Sequence, residues 1–234
     1  KFGITTGLDC LDKSLGGFEP ATLTVLAARP SMGKTAMSIF MMQNIARCGH
    51  NVGFYNLETD RFALARRFLY TQGLSKDFLK RVDLSPEELL KLKSCTEKFR
   101  ELPINIVSKP GMTVEEIREN MRGKDYKVIF IDYLQRLNGS GETETEVVGR
   151  ISTDLKKLTL ETQVPIVALA QINRNATARN DKSPTLADLK QSGKIEEDAD
   201  NILMIHRPRY YDKDNGDDTT HLIIGKCKDG ETGT

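Results

Sequence analysis

The sequence predicts an α/β domain, a mostly parallel central sheet flanked by helices, and three observations lead there. Short β-branched and apolar runs recur along the chain, amphipathic helical stretches separate them, and most of the apolar runs are continuous instead of alternating. Continuous runs mark strands buried on both faces, and helices between successive strands are the crossovers that a parallel sheet requires. With 234 residues, 38% of them hydrophobic, the chain can bury one substantial core, so a single domain over 1–234 is expected.

In chain order, strands are expected at 23–28 (LTVLAA), 52–57 (VGFYNL), 104–107 (INIV), 127–131 (KVIFI), 166–170 (IVALA) and 202–205 (ILMI), with a last one at 222–225 (LIIG). Helices are expected at 35–47, 61–72, 86–100, 114–122 and 147–161. In the last of these, Val148, Ile151, Leu155 and Leu158 recur at three- and four-residue spacing, share one face, and read as core packing. The segments 138–146 (NGSGETETE) and 173–193 break the pattern and read as loops. The second is too long for an ordinary connection in a compact domain, and such loops are usually functional or disordered. Residues 215–220 (NGDDTT) read as an exposed turn, and no internal repeat or low-complexity tract is visible.

Lys and Arg total 34 against 33 Asp and Glu, which excludes a polybasic protein that coats nucleic acid through bulk charge. Any nucleic-acid contact must be local. Cys10, Cys48, Cys95 and Cys227 lie far apart, with no C-x-x-C pair, and read as reduced thiols instead of zinc ligands. No run approaches the roughly 18 apolar residues of a membrane span, and residues 1–12 lack the apolar core of a signal peptide. A soluble, cytoplasmic protein with no membrane partner is therefore expected.

The strongest chemical signal is Ala28-Arg-Pro-Ser-Met-Gly33-Lys34-Thr35, a strand, a tight loop and the start of a helix. Ala28 stands where the G-x-x-x-x-G-K-[ST] pattern has its first glycine. The physical requirements survive that change. Backbone N–H groups of Ser31, Met32, Gly33, Lys34, Thr35 and Ala36 can wrap a phosphate at a helix N-terminus, where unpaired donors and the helix dipole both favour anions. Lys34 would reach the β- and γ-phosphates of ATP, and the Thr35 hydroxyl would ligate Mg²⁺. A bare Gly-Lys-Ser/Thr arises by composition in about one chain in ten of this length. The strand before it and the helix after it make coincidence a poor account.

Three further polar residues close apolar runs. Asp132 ends VIFI and would orient Mg²⁺ through water. Glu58 ends VGFYNL, at the sheet edge where open parallel sheets bind ligands, and can activate the water that attacks the γ-phosphate. It can equally be the N-cap or a first-turn acid of the next helix. Gln171 ends IVALA and can sense the γ-phosphate. The segment after it carries Arg174, Arg179, Lys182, Lys190 and Lys194 against Asp181 and Asp188, with Gly193 permitting close backbone approach. That composition suits the phosphate backbone of single-stranded DNA, and it also suits a merely solvated face.

Taken in order, Thr6-Gly7-Leu8-Asp9, Gly16-Gly17-Phe18, ARPSMGKT, the LET ending at Thr59 with Glu58 at its centre, IDYLQ around Asp132, ALAQINR around Gln171 and DLKQSGKIEEDAD from Asp188 to Asp200 are similar to the C-terminal, RecA-like P-loop motor domain of DnaB-type replicative DNA helicases. The similarity covers nearly the whole chain. It implies a hexameric ring that encircles single-stranded DNA, moves 5′ to 3′, and binds ATP between neighbouring subunits. The family's helical N-terminal domain, which helps to form the ring and binds primase, is not in this sequence. Primase and a helicase loader are expected partners through that domain or the ring surface. By the same resemblance Lys190, Gln191 and Gly193 match the loop that touches DNA phosphates, and Arg67 matches a position near the nucleotide base. Lys226 and Lys228 fall where the family carries a Lys-x-Arg pair that reaches into the next subunit's ATP site. Here the sequence departs, because Lys228 stands in place of the arginine finger and lacks its planar fork. Arg207 and Arg209 are the alternative candidates for that role. Thr59-Asp60 replaces a Met-Ser common in the family.

Two other classes share parts of this pattern. A RecA or RadA recombinase also has a P-loop, a strand-end Glu and DNA-binding loops, but would exchange strands along a filament. A KaiC-like ATPase would use hydrolysis for signalling contacts between proteins. The DLKQSG and IDYLQ runs argue against the first, and the basic segment after Gln171 argues against the second.

Overall fold

In the computed structural model, residues 3–172, 182–189, 193–211 and 218–233 are described. Seven strands form one sheet: β1 (Leu23–Ala28), β2 (Val52–Asn56), β3 (Ile104–Ser108), β4 (Val128–Asp132), β5 (Ile166–Gln171), β6 (Asn201–His206) and β7 (His221–Cys227). Their order is β3-β2-β4-β5-β1-β6-β7, and every pairing is parallel except β6 with β7. The expected strands all appear, each within two residues of its expected ends.

Eight α-helices accompany the sheet among the described residues: α1 (Asp9–Leu15), α2 (Lys34–Arg47), α3 (Arg61–Thr71), α4 (Pro86–Arg100), α5 (Val114–Met121), α6 (Glu144–Thr162), α7 (Gly193–Asp198) and α8 (Pro208–Tyr211). Sequence pattern missed α1, α7 and α8, which are too short to show a periodicity. It also read 138–146 as loop throughout, whereas α6 begins at Glu144. The reason is a cap: the Thr143 hydroxyl accepts from the Glu146 N–H at 3.2 Å, and Glu144 and Glu146 sit favourably in the first turn. Helices α4 and α5 start by the same chemistry, with capping boxes Ser85/Glu88 and Thr113/Glu116.

The sheet separates two apolar cores, and alternate residues of each strand serve one or the other. Leu23, Val25 and Ala27 of β1 join Ile117 of α5, Ile151, Leu155 and Leu158 of α6, and Ile195 of α7. Leu26 and Ala28 join Ile39 and Met42 of α2 with Leu64 and Phe68 of α3. Central strands wholly buried on both faces explain the unbroken apolar runs in the sequence.

At the edge where the parallel strands begin, Asp200 is a buried junction. Its carboxylate accepts from the Leu23 N–H at 2.8 Å and the Lys156 ammonium at 2.6 Å, and Lys228 lies 3.4 Å away. These contacts tie β6, β1, α6 and the end of β7 together. Burial pushes the Asp200 carboxyl up, but Lys156, the Leu23 amide and Lys228 outweigh it and leave the group below the usual carboxylate range.

Because the folded-state value lies below the unfolded one, the stability this group contributes is present above the ordinary carboxylate range and is lost as pH falls through the depressed value. Asp200→Asn should therefore lower stability at pH 7 by on the order of 2 kcal/mol, the worth of hydrogen bonds to a charged group. The difference from the parent should shrink as the pH of the thermal melts is taken down through the carboxylate range. A difference that is constant with pH would remove the ionic part of this account.

Candidate active site

The P-loop follows β1, and its backbone is shaped for an anion. Gly33 has φ +96°, a left-handed conformation that side chains other than Gly's resist, and Ser31 adopts φ +67°. Helix α2 then starts at Lys34 with no side-chain cap and no acidic residue in its first turn. Its first N–H groups thus keep their donors and positive dipole end for a ligand. Ala28 carries no such burden: it ends β1, fully buried, with its methyl in the core beside α2. A glycine is not needed there.

Strand register brings the other groups to the same edge. Ala28 lies beside Gln171, and Asn56 beside Asp132. Thr35 Oγ1 donates to Asp132 Oδ2 at 2.8 Å, so the two predicted Mg²⁺-associated side chains touch. One cleft of about 680 Å³ is lined by Ser31, Gly33, Lys34, Thr35, Ala36, Glu58, Arg67, Asp132 and Gln171, together with Arg29, Pro30, Tyr70, Tyr133 and Arg136. Met32 lies in the loop but is buried in the core instead of lining the cleft; its N–H donates to the Arg29 carbonyl at 3.3 Å.

The electrostatics of this cleft are unbalanced. Burial lowers the Lys34 ammonium from its ordinary value, and the nearby Asp132 and Glu58 charges pull it back only in part. Among the described residues no carboxylate lies within ion-pair distance of it; its nearest named contact is the Tyr133 ring, 4.6 Å from the ammonium. Burial likewise raises the Asp132 carboxyl, against the Thr35 hydrogen bond and the charges of Lys34 and Arg67. A polyanion bound with a divalent cation supplies what each lacks. The donor set fits Mg²⁺, which takes one or two protein oxygens and completes its shell with phosphate and water. Among the described residues no group of three His, Cys, Asp or Glu side chains forms a dedicated metal cage.

Glu58 sits in a pinned turn. The Leu57 N–H donates to the Asp132 carbonyl at 2.8 Å, while the buried Asn56 amide donates to the Thr59 carbonyl at 2.5 Å and accepts from the Thr59 N–H at 3.0 Å. Asn56 was not singled out from the sequence. The alternative that Glu58 caps the next helix is answered by Asp60, whose carboxylate accepts from the N–H groups of Phe62 and Ala63 as the N-cap of α3. This also gives the Thr59-Asp60 departure a structural role. Arg67 donates to Thr59 Oγ1 at 3.3 Å and faces the cleft.

Gln171 is exposed on the cleft rim. Its peptide is clasped by the Gln135 side chain, which accepts from the Gln171 N–H at 3.3 Å and donates to its carbonyl at 3.2 Å. Gln135 and Arg136 were also missed, because they sit on a single 3-10 turn, Leu134–Arg136, where periodicity says nothing. Arg174, Arg179, Lys190 and Gln191 lie outside the described residues. Gly193 begins α7.

Lys226 and Lys228 do not enter this cleft. β7 runs antiparallel to β6, with Cys227 beside Asn201, so both lysines lie at the opposite sheet edge. Lys226 donates to the carbonyls of Glu196 and Glu197 at 2.7 and 3.3 Å, and Lys228 pairs with Asp200. The six residues of β1 put about 20 Å between the two edges. Arg207 and Arg209 follow β6 at the cleft's own edge, 3.9 and 3.2 Å from Asp218.

A family model described as the DnaB-like helicase C terminal domain matches residues 3–234. The replicative DNA helicase DnaB of Geobacillus stearothermophilus and the replicative DNA helicase DnaC of Bacillus subtilis (strain 168) are each 36% identical over 242 residues, which cover 99% of this chain and 53% of the relative. The chain therefore spans about half the length of these relatives. Among solved structures, one described as an ATPase domain superposes with a TM-score of 0.93 at 32% identity, covering 99% of this chain and 86% of that one. A DnaB-like replicative helicase, solved in a study of its interactions with primase, gives the same TM-score and identity and is covered over 58% of its length. These similarities favour the helicase family over recombinases and signalling ATPases.

If Asp132 orients the metal through water, Asp132→Asn should weaken Mg²⁺ affinity of the nucleotide complex by about 10- to 100-fold, as loss of an outer-shell partner does. Titration of Mg²⁺ against a fluorescent ATP analogue reads this directly, and an unchanged midpoint would remove Asp132 from the site. Since the folded-state value of Asp132 is raised, its ionised form costs stability at neutral pH. The same substitution should thus leave the ligand-free melting temperature unchanged or higher.

Proposed function

The chain belongs to the DnaB-like helicase C-terminal domain family, and on that premise we propose that residues 1–234 are one ATP-driven motor domain that moves 5′ to 3′ on single-stranded DNA in a hexameric ring and unwinds duplex at a replication fork. The observation that carries this reading is the 2.8 Å contact of Thr35 with Asp132 in a cleft that also holds Lys34, Glu58 and Gln171.

In this reading the N–H groups of Ser31, Gly33, Lys34, Thr35 and Ala36 hold the ATP phosphates, whereas that of Met32 is taken by the Arg29 carbonyl. Lys34 neutralises the β- and γ-phosphates, and Thr35 with Asp132 holds Mg²⁺, which when bound offsets charge that develops on the transferred phosphoryl group. Glu58, fixed by the Asn56 turn, accepts the proton of the attacking water. Gln171 reports the state of the γ-phosphate to the segment that follows it, and Arg67 lies toward the nucleotide base. Arg174, Arg179, Lys190, Gln191 and Gly193 are the proposed DNA contacts. Phosphate-directed contacts make binding insensitive to sequence and sensitive to salt.

Lys226 and Lys228 act on a neighbouring subunit's ATP. Their place at the sheet edge remote from their own cleft supports this, since a group that serves a neighbour must be unavailable to its own site. Arg207 and Arg209, at the cleft's own edge, fit that demand less well. Primase and a loader are the proposed protein partners. The protein would act in the cytoplasm; among the described residues no helix is long and apolar enough to cross a membrane.

Unwinding of a forked duplex with a 5′ tail, driven by ATP and without strand exchange, is the result expected of this motor. Strand exchange without unwinding would instead place it with recombinases. Within the site, Glu58→Gln should slow hydrolysis by about 10² to 10⁴ while ATP still binds. Turnover near the parent's in an assembled ring would exclude Glu58 as the base.

The trans assignment predicts complementation. Lys228→Ala should lower hydrolysis in assembled rings, and subunits that carry Glu58→Gln but keep Lys228 should restore partners that carry Lys228→Ala but keep Glu58. Lys228→Arg should raise the assembled rate, because a guanidinium grips two phosphate oxygens where an ammonium is a point charge. Mixed rings that show no recovery would make Lys228 a structural partner of Asp200 alone.

A further inference from the structure

Arg136 is a charged residue of the cleft to which the mechanism above gives no part. Its guanidinium Nη2 lies 3.5 Å from Glu58 Oε1, and its central carbon lies 5.6 Å from the centre of the Tyr133 ring. That ring also meets the Lys34 ammonium. The turn that carries Arg136 is fixed twice: its own N–H donates to the Tyr133 carbonyl at 2.9 Å, and the preceding Gln135 clasps the peptide of Gln171. The guanidinium is therefore held where the Glu58 carboxylate is, by a ring on β4's edge and by a turn tied to β5.

We propose that Arg136 is a positioning residue that restrains the Glu58 carboxylate as long as DNA is absent, and so holds down the DNA-independent rate of hydrolysis. The inference rests on Glu58 being the base proposed above. A carboxylate that is to accept a proton from water must offer that water a lone pair. A guanidinium carries five donors and no acceptor, so it cannot take over the proton transfer; it can only occupy the oxygen that should receive it. Both partners are about half exposed, at 55% and 47%, which makes the pair a weak restraint and not a block. Because Gln135 joins this turn to Gln171, displacement of the Gln171 peptide moves Arg136 as well, so the basic segment after Gln171 has a mechanical route to the base.

The test is single-turnover hydrolysis without DNA, with the chain in excess over radiolabelled ATP, which resolves rates far below steady-state detection. Arg136→Leu should raise the saturating rate by about 1.5- to fivefold, the span of a half-exposed ion pair, with the concentration for half-saturation unchanged. Arg136→Lys keeps the charge within reach of Glu58 and should stay near the parent, while Arg136→Gln should follow Arg136→Leu. In a Glu58→Gln background Arg136→Leu should have no effect. A saturating rate in Arg136→Leu that is unchanged or lower overturns the proposal, and a lower one makes Arg136 a cation that assists the reaction. Arg136→Lys as fast as Arg136→Leu also overturns it, since charge would not be the cause. If Glu58→Gln itself hydrolyses at the parent rate, it is the assignment of the base that has failed, and that result is distinct from failure of the restraint alone.

Discussion

The hydrogen bond from Thr35 to Asp132 depends on a constraint that shapes the rest of the molecule. Thr35 is carried by the loop after β1 and Asp132 ends β4, yet β5 lies between those strands. At about 4.8 Å per strand, the two strands are about 10 Å apart, so contact requires both a loop that leans over β5 and strand ends at matching height. The parallel registers of β1 with β5 and of β4 with β5 set that height. A slip of one residue in either would turn a site residue to the opposite face of the sheet. The buried strands on which this alignment rests are also why it holds, because each strand interlocks with a separate core on each side.

The same rigidity lets the cleft keep charges that burial disfavours. Lys34 is pushed toward neutrality and Asp132 toward protonation, and neither has a full ionic partner within the described residues. A flexible loop would relax and let water in. Here the helix start, the core beneath it and the pinned Asn56 turn hold the groups apart, and the unmet electrostatics become a preference for a phosphate chain with its cation. At the other edge of the sheet the opposite solution is found: Asp200 is saturated by Lys156, the Leu23 amide and Lys228, and serves as a structural knot.

Which parts of this were legible in the sequence follows from what each part depends on. The strands were readable because burial on both faces leaves an unbroken apolar run, and the P-loop because its backbone geometry demands Gly33 and its chemistry Lys34 and Thr35. Glu58, Asp132 and Gln171 were readable as polar residues that end such runs, although the sequence left open whether Glu58 capped a helix until Asp60 was seen to do so. What escaped was set by contacts between segments distant in sequence. Asn56, Gln135 and Arg136 have no pattern of their own and gain meaning only when β2, β4 and β5 lie side by side. Helices α1, α7 and α8 span seven, six and four residues, fewer than periodicity needs. The start of α6 was the exception, since Thr143 and Glu146 spell a cap that the sequence did display.

The placement of Lys226 and Lys228 bears on why such a domain assembles. An isolated subunit has the cleft of Glu58, Thr35, Asp132 and the loop before α2 at one sheet edge, and these two lysines about 20 Å away at the other. No rotation of side chains closes that gap, so if those cations take part in hydrolysis they do so on a second subunit, and hydrolysis becomes a property of the interface. In that arrangement a Lys at position 228, with a single point charge on a flexible stem, gives the interface a weaker grip on the phosphates than a guanidinium would. A weaker grip in trans would leave more of the control to groups in cis, and the cation paired in cis with Glu58, the proposed base, is Arg136. In the proposed scheme Lys228 and Arg136 therefore bear on the same event from opposite sides: one would limit how strongly a neighbour drives hydrolysis, and the other how readily the subunit begins it alone.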